Sequence, residues 1–261
     1  MTVPRTDPAA FDRRPLHERI AADLRDQIMS GVLAPGARIP STVQLKERFE
    51  ASGASVQKAL QLLKDEGLAV GRAGASVTVR AHRQHTLRPA SSLAPASPGA
   101  PYPWLTEAGK EGSPPGRSTL LEVATTTPPA DVAEVLNLPV GTEQCVVRRQ
   151  LLSLDEEPAE LVASYYPLDI ARGTALMERR KIRGGTPALL TELGFPPRRS
   201  VDRVSARVPT QDQCTALRLP GNLPVLRTLR VVHSETGRPV EATVMVKAGH
   251  LYEVQYEFAV E

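Results

Sequence analysis

Residues 39–60 constrain the fold of this 261-residue chain more than any other stretch, because two short helical periodicities stand there on either side of a tight turn. Leu45 and Phe49 lie four residues apart and therefore predict one apolar stripe on a first helix. A second apolar stripe follows at 56–63, on a helix predicted over 54–66. The pattern indicates two packed helices rather than one long one.

Small polar residues at the starts of both helices support this interpretation. Ser41 can cap the first helix through its hydroxyl, and Gln44, three residues later, can complete a capping box. Ser52, in the turn at 51–53, can cap the second helix. Two short helices with a tight turn, the second small and polar at its start, predict a helix-turn-helix whose second helix fits the major groove of DNA.

The flanking segments fit the same motif. Pro15 suits the first turn of a helix, and apolar residues recur at every fourth position over 16–28, which predicts a preceding helix. Two short strands are predicted at 68–70 and 77–79, with a glycine in the segment that joins them. A two-stranded element of this kind is the wing of a winged helix.

In these residues the chain resembles the GntR family of bacterial transcription regulators. The resemblance implies a winged helix-turn-helix domain over residues 15–80. The residues that carry it are 15–20, 30–41, Leu45, Phe49, 66–68 and Gly74.

The sequence departs from the family at three positions that contact DNA. Members usually have arginine at the positions of Val43, Gly53 and Gln57, and none is present here. We therefore expect shorter polar groups to read the bases, since glutamine can pair bidentately with adenine and lysine can bind guanine or phosphate. The candidates are Thr42, Gln44, Ser52, Ser55, Gln57 and Lys58 on the two helices and Arg72 in the wing. Each is also compatible with a solvated surface.

Charge is distributed unevenly along the chain. Residues 1–90 carry 14 Lys and Arg against 9 Asp and Glu, whereas the remainder carries 18 against 20, which gives the formal net charge of +3. A basic head on a mildly acidic body fits a nucleic-acid-binding domain joined to a small-molecule or oligomerisation domain. Chance asymmetry is the alternative.

Composition also sets negative expectations. The chain has no 18-residue apolar run and no signal peptide, so we expect a cytoplasmic protein without a membrane segment. Cys145 and Cys214 have neither metal spacing nor a disulfide framework and are expected to be thiols inside the fold. His82 and His85 have metal-like spacing without a nearby ligand partner and are expected to be solvated. No cofactor and no metal is predicted.

The remaining chain divides into a loose N-terminal arm at 1–14, a linker at 81–100 rich in Arg, Ser, Ala and Pro, and a second domain at 101–261. In that domain, hairpin-joined strands alternate with short helices, which predicts an antiparallel sheet and an α+β fold. The strands are predicted at 120–127, 144–154, 159–166, 199–208, 224–233, 240–246 and 251–258, and the helices at 102–109, 128–137, 186–194 and 210–218.

This second half resembles the UTRA effector-binding domain of the HutC branch of GntR regulators, a domain that shares its fold with chorismate lyase. In such domains the ligand lies over the sheet, gripped by arginines of the first hairpin and by polar groups of neighbouring strands. The residues that carry the resemblance are 133–136, 138–141, 147–149, 164–167, 184–187, 224–227 and 237–241.

The resemblance implies a set of effector-binding candidates. Arg148 or Arg149 is the expected partner of an anionic ligand, and only one of them can face it, because adjacent strand residues point to opposite faces. Gly185 and Thr186 can hold an anion with backbone N–H groups at a helix start, or simply cap the helix. Family position adds Ser164, Tyr166 and Glu241.

One departure weakens the expectation of a sugar phosphate. Family patterns often place two arginines, two residues apart, in the first hairpin. Gln150 and Leu152 stand at the corresponding positions here.

The sequence therefore predicts a DNA-binding transcription regulator, a repressor that acts as a homodimer on a palindromic operator and responds to a small-molecule effector in its second domain. Two alternatives stay open: an effector-independent plasmid or promoter control protein whose second domain only dimerises, and an enzyme with lyase-type chemistry. The enzyme is disfavoured because the sequence offers no metal cluster, no Ser/His/Asp order and no close acid–base pair.

Overall fold

The computed structural model describes residues 12–71, 76–80, 85–88, 116–154, 156–182, 184–219 and 223–258. The chain forms two compact units, 1–83 and 84–261. The helix expected at 102–109 and the candidate Arg72 lie outside the described residues, as does most of the arm expected at 1–14.

The first unit is built on the apolar stripes expected from the sequence. Its elements in chain order are α1 (Leu16–Met29), α2 (Thr42–Phe49), α3 (Gly53–Asp65), β1 (Ala69–Val70) and β2 (Thr78–Val79). The apolar residues at every fourth position of α1 cluster with apolar residues of α2 and α3, and the side chains at the centre of this core are fully buried. They include Ile20, Leu24, Leu45, Val56 and Leu63.

Two features fix the ends of the helix pair. Glu50 adopts a left-handed conformation (φ 49°) at the end of α2, so the chain reverses into α3 within three residues. The guanidinium of Arg25 on α1 donates to both oxygens of the buried Glu66 carboxylate, at 2.5 and 2.8 Å, and ties α1 to the end of α3. The two strands that follow pair antiparallel, Ala69 opposite Val79, as the sequence predicts.

The second unit contains a six-stranded antiparallel sheet, and its α+β architecture confirms the expected fold class. The elements in chain order are β3 (His85–Leu87), β4 (Gly116–Thr126), α4 (Ala130–Val135), β5 (Cys145–Leu154), β6 (Glu157–Pro167), α5 (Leu168–Ala171), a 3₁₀ turn (Ala175–Met177), α6 (Gly185–Glu192), β7 (Pro197–Arg207), α7 (Gln211–Ala216), β8 (Val225–Ser234), β9 (Pro239–Ala248) and β10 (Tyr252–Val254). The strand order in the six-stranded sheet is β4-β5-β6-β9-β8-β7.

The two faces of the sheet differ in chemistry. One face has an apolar centre, on which α4 packs through Val132, and Val132 clusters with buried sheet residues such as Val147 and Leu229. The other face carries buried charged and hydroxyl side chains, and its end is covered by α5, the 3₁₀ turn and α6 through a second apolar cluster that includes Leu176 and Leu190. A few polar groups set among apolar residues are typical of small-molecule sites.

The structure differs from the sequence expectation at the edges of elements. His85–Leu87, inside the expected linker, forms β3 and pairs in parallel with β10. His85 was expected to be solvated, but it is half-buried, with its ring centroid 6.0 Å from that of Tyr252. A partner strand more than 160 residues away leaves no mark on a local pattern. Gly184 (φ 74°), rather than Thr186, precedes the first turn of α6.

Within the described residues, no helix is both long and apolar enough to cross a membrane.

Candidate functional site

The start of α2 is a capping box. Ser41 Oγ accepts a hydrogen bond from the Gln44 backbone N–H at 3.3 Å, and the Ser41 N–H donates to Gln44 Oε1 at 2.8 Å. Both side chains are exposed, so they hold the helix start while remaining at the surface. The expected capping box is confirmed, and Gln44 is placed as a helix-start residue.

The start of α3 is held in a similar way. Ser52 Oγ accepts from the Ser55 backbone N–H at 3.1 Å, and the two hydroxyls lie 3.0 Å apart. Ser52 is exposed and Ser55 is half-buried. The expected cap at Ser52 is confirmed, and the small groups predicted at the start of α3 lie where a duplex could approach it.

Gln57 connects the two helices. Its side-chain Nε2 donates to Thr42 Oγ1 at 3.2 Å, across 15 residues of sequence. Gln57 and its neighbour Lys58 are exposed on α3, and Thr42 is half-buried at the first position of α2. Six of the seven candidates for DNA contact are therefore described, and all six have side chains at least partly open to solvent.

Arg148 and Arg149 point to opposite faces of β5, as alternation along a strand requires. Arg149 is exposed and pairs with Glu122 at 3.3 Å. Arg148 is 4% exposed, and burial lowers the pKa of its guanidinium. Its nitrogens donate to backbone carbonyls at and after the 3₁₀ turn. The acceptors are Leu176 O and Glu178 O at 2.8 Å, Arg180 O at 2.6 Å and Ala175 O at 3.4 Å.

Arg148 therefore holds the segment 175–180 against the polar face. Both terminal nitrogens of the guanidinium already donate to these carbonyls, which leaves fewer of its five N–H donors for a ligand anion. The expected partner of an anion is thus engaged within the protein. The N–H of Gly185 is also occupied, because it donates to the Ile182 carbonyl at 3.2 Å.

The other family-position candidates meet in one hydrogen-bonded cluster. Tyr166 OH donates to Glu241 Oε1 at 3.1 Å and lies 3.4 Å from Thr186 Oγ1. Thr243 Oγ1 donates to the same Glu241 oxygen at 2.8 Å and lies 2.8 Å from Ser164 Oγ. Residues from β6, β9 and α6 thus converge on one carboxyl group, and we call these five residues the Glu241 cluster.

Burial sets the ionisation of this cluster. Desolvation raises the pKa of Glu241 above its usual value of 4.5, although hydrogen bonds from Thr243 and Tyr166 act in the opposite direction. Desolvation also raises the pKa of the Tyr166 hydroxyl well above its usual value, and the nearby Glu241 charge adds to the effect. The site therefore contains a carboxyl group whose charged form is destabilised by burial.

Cross-strand register extends the cluster across the sheet. Five polar residues face one another on successive strands, and cross-strand neighbours of this kind share one face. This set, the polar row, is Arg148 on β5, Ser164 on β6, Thr243 on β9, Arg230 on β8 and Asp202 on β7.

The cations of this face are paired inside the protein. The Arg230 guanidinium donates to both oxygens of Asp202, at 2.8 and 2.7 Å. Lys247 Nζ lies 2.9 Å from Glu160 Oε1, with side chains 5% and 2% exposed. Glu160 Oε2 is buried without a hydrogen-bond partner within the described part of the chain. The face thus offers acceptors and hydroxyls more readily than free cations.

Sequence reasoning missed Thr243, Arg230 and Asp202. Thr243 was available by alternation, since it lies two residues after Glu241 on a predicted strand and must share its face. Arg230 and Asp202 became visible only through the β7–β8 and β8–β9 registers.

The two cysteines have no metal-binding arrangement among the described residues. Cys145 is fully buried, and desolvation raises the pKa of its thiol to about 11, while Cys214 is half-buried. Over the described ranges, no group of three or more His, Cys, Asp and Glu side chains is arranged to hold a metal ion.

Comparison with known proteins connects both units to one family. Residues 116–253, more than half of the chain, match the UTRA domain, and residues 16–79 match the bacterial regulatory proteins of the gntR family. The chain is 25% identical over 256 residues to an uncharacterised HTH-type transcriptional regulator of Streptomyces coelicolor, which covers 95% of this chain and 94% of that protein.

Two further relatives bear on the branch and the fold. The histidine utilization repressor of Klebsiella aerogenes is 37% identical over 76 residues, 29% of this chain and 30% of that protein. The crystal structure of PhnF from Mycobacterium smegmatis superposes with a TM-score of 0.57 at 19% identity, covering 93% of this chain and 100% of that one, and supports the same fold.

The DNA-binding head and the UTRA sheet occur here in one chain, and the relatives that span it are transcription regulators rather than enzymes. The chain therefore belongs to the GntR family of bacterial transcription regulators, with a UTRA domain and a HutC-like organisation.

Proposed function

We propose that this regulator is a repressor that binds a palindromic operator as a homodimer, and that a small polar molecule bound on the sheet changes its affinity for that operator. The observation that carries the proposal is the Glu241 cluster, in which polar side chains from three elements converge on one face of a UTRA sheet. A regulator of this kind acts on the chromosome, so we place it in the cytoplasm.

Support for the DNA-binding surface comes from the exposed polar starts of α2 and α3. We propose that Ser52, Ser55 and Gln57 face the major groove, with Lys58 contacting base or phosphate. Thr42 and Gln44 border the same surface from α2. Arg72, outside the described residues, is proposed as a wing contact to the DNA backbone.

Support for the effector site comes from the chemistry of the polar face. We propose that Ser164, Tyr166, Thr186 and Glu241 contact the effector directly and that Gly185 lines the helix start above them. Arg148 then shapes the site by holding the 175–180 segment, and Arg149, on the other face, contributes at its rim or not at all. An effector that presents hydrogen-bond donors matches the carboxyl oxygen at the centre of the cluster.

An anionic effector would fit this face less well. The guanidinium groups of Arg148 and Arg230 already donate to backbone carbonyls and to Asp202, and drawing either of them fully to a ligand would leave buried acceptors without partners. A neutral or cationic polar molecule avoids that cost.

The coupling between the two functions is a difference in free energy. A ligand weakens operator binding if it prefers the arrangement of the two heads that cannot bind DNA. The effect is reciprocal, so DNA lowers the affinity for the ligand by the same factor.

Footprinting of the full-length chain on its own promoter region tests the regulatory proposal. We expect protection of an inverted repeat, and a change in the protected fraction when the effector is added from a metabolite panel. Absence of any protected repeat would contradict the operator proposal.

A second candidate is favoured by one observation. Arg148 and Arg230 both form hydrogen bonds within the protein, which also fits a domain that has lost its ligand and only dimerises. The chain would then be an effector-independent control protein. A thermal-shift screen of the full chain separates the two, because a specific ligand raises the melting temperature by mass action.

A further inference from the structure

The hydrogen bond between Gln57 and Thr42 differs from the others on the DNA-binding surface. Ser41 with Gln44, and Ser52 with Ser55, are bonds inside a single helix start. The Gln57 amide is instead held by a residue of the neighbouring helix, with Nε2 donating to Thr42 Oγ1 at 3.2 Å. An exposed glutamine that is fixed in this way has lost part of its rotational freedom before it meets DNA.

The bond also determines what the amide has left to offer. A primary amide has two N–H donors and one carbonyl oxygen. One N–H is directed at Thr42, so one donor and the oxygen acceptor remain. In the major groove, adenine presents an acceptor at N7 beside a donor at N6, whereas guanine presents two acceptors, N7 and O6. The remaining pair on Gln57 complements adenine and cannot satisfy both acceptors of guanine.

The other two positions at which the family usually has arginine supply no side-chain donor either. Val43, beside Thr42 on α2, is 73% exposed and ends in methyl groups, and Gly53 has no side chain. Apolar contact with the thymine methyl is the base contact open to a valine. The positions at which the family usually has arginine are therefore occupied here by residues that do not form a bidentate pair with guanine.

We propose that Gln57 reads an adenine in each operator half-site and that Thr42 is the positioning residue that fixes the orientation of its amide. This inference rests on the proposed operator binding and adds the identity of one base and the residue that enforces it.

Selection of duplexes from a randomised library by the full-length chain, followed by competition binding, tests the inference. In the selected site we expect one adenine per half-site whose replacement by guanine weakens binding about 10- to 100-fold, the range that a good bidentate pair provides. Gln57→Ala should reduce that preference to about twofold or less. Gln57 is exposed, so this variant should fold, which circular dichroism checks.

Two further variants separate positioning from general effects on the surface. Thr42→Val keeps the shape of the side chain but removes the oxygen acceptor, and should lower the ratio of the affinities for the adenine and guanine sites. Thr42→Ser restores the oxygen and should restore the preference. Lys58→Ala is the matched control, because loss of the neighbouring side chain on α3 should weaken binding but leave the adenine preference at the Gln57 position unchanged.

The outcomes distinguish the inference from the function on which it rests. If no sequence is enriched, operator binding itself is overturned. If a site is enriched and Gln57→Ala keeps the adenine preference, the inference is overturned while operator binding stands. A Thr42→Val variant with unchanged preference, or a Thr42→Ser variant that behaves like Thr42→Val, overturns the positioning role.

Discussion

The head and the sheet handle polar side chains in opposite ways. In the described part of the head, the core is apolar apart from Glu66, which pairs with Arg25, and the described candidates for DNA contact are partly or fully open to solvent. On the sheet, Arg148, Ser164 and Tyr166 are buried, and each forms a hydrogen bond within the protein. The candidate polar groups of the head are thus displayed to solvent, whereas those of the sheet are enclosed within the protein.

The difference predicts where substitutions are costly. An exposed polar group returns to water when its partner is lost, so its removal changes recognition more than stability. A buried polar group without a partner cannot do so and costs about 1–3 kcal/mol, or more when it is charged. Variants on the two surfaces should therefore separate binding effects from folding effects.

The largest loss of stability should follow from Lys247→Met. Lys247 is paired with Glu160 at 2.9 Å where both side chains are almost completely buried, and its removal leaves a buried carboxylate without a cation. We expect the free energy of unfolding to fall by about 3–5 kcal/mol. All five tyrosines and the single tryptophan lie beyond residue 84, so their fluorescence during urea unfolding reports on the sheet unit.

The matched control replaces both members of the pair. Glu160→Leu combined with Lys247→Met should be close to the original stability, within about 1 kcal/mol, because paired buried ions contribute little net stabilisation over apolar residues. If the single and double variants lose the same amount, the cost belongs to packing around β6 and β9 and the contrast with the head is weakened.

Arg148→Met should give the next largest loss. The methionine fills similar space but supplies no donors to the carbonyls of the 175–180 segment, which we expect to cost about 3 kcal/mol. The released segment contains Arg179 and Arg180, and Lys181 follows directly, so trypsin should cut here faster than in the unaltered chain. Unchanged cleavage with unchanged stability would show that Arg148 is available to a ligand after all.

Local pattern was sufficient for the head because its signals are local. Each signal lies within a few residues of the feature that it specifies. These signals are the capping box at Ser41 and Gln44, the cap at Ser52, and the apolar residues at every fourth position of α1. The sheet required long-range information. β3 pairs with a strand at residues 252–254, and the polar row depends on the registers of five strands.

The Arg148 result shows where a family-based expectation stops. Alternation along β5 correctly predicted that Arg148 and Arg149 face opposite sides. Nothing in the sequence indicated that residues 175–180 would present carbonyl oxygens to Arg148, because α5 and the 3₁₀ turn were not predicted and both are only a few residues long. The pattern placed Arg148 on the correct face, but the 175–180 segment makes it an anchor for backbone carbonyls instead of a ligand partner.

A smaller effect, visible as a pH dependence, is expected at Glu241. Burial raises the pKa of Glu241 above 4.5, so the folded state binds this proton more tightly than the unfolded state does. Its contribution to stability is then present at low pH and is lost as the pH rises from about 4.5 through the pKa of the folded state. Glu241→Gln keeps an acceptor oxygen but cannot ionise.

The unfolding free energies of both proteins, measured from pH 4.5 to 8, give the test. We expect Glu241→Gln to gain relative to the unaltered chain as the pH rises, and the gain to level off once Glu241 is ionised in the folded state. A difference that is independent of pH would mean that the carboxyl group titrates alike in the folded and unfolded chains.

The smallest effect should come from Arg149→Met, the neighbour of Arg148 on the exposed side of the same strand. Its partner Glu122 lies 3.3 Å away, and the two side chains are 54% and 48% exposed, so solvent screens the pair and we expect a change of about 0.5 kcal/mol or less. Trypsin cleavage in the 175–180 segment should be unaltered. The two arginines are adjacent in sequence but lie on opposite faces of β5. Comparing the unfolding free energies of Arg148→Met and Arg149→Met therefore isolates the effect of the face. A loss at Arg149 equal to that at Arg148 would remove burial as the reason for the contrast between displayed and enclosed polar groups.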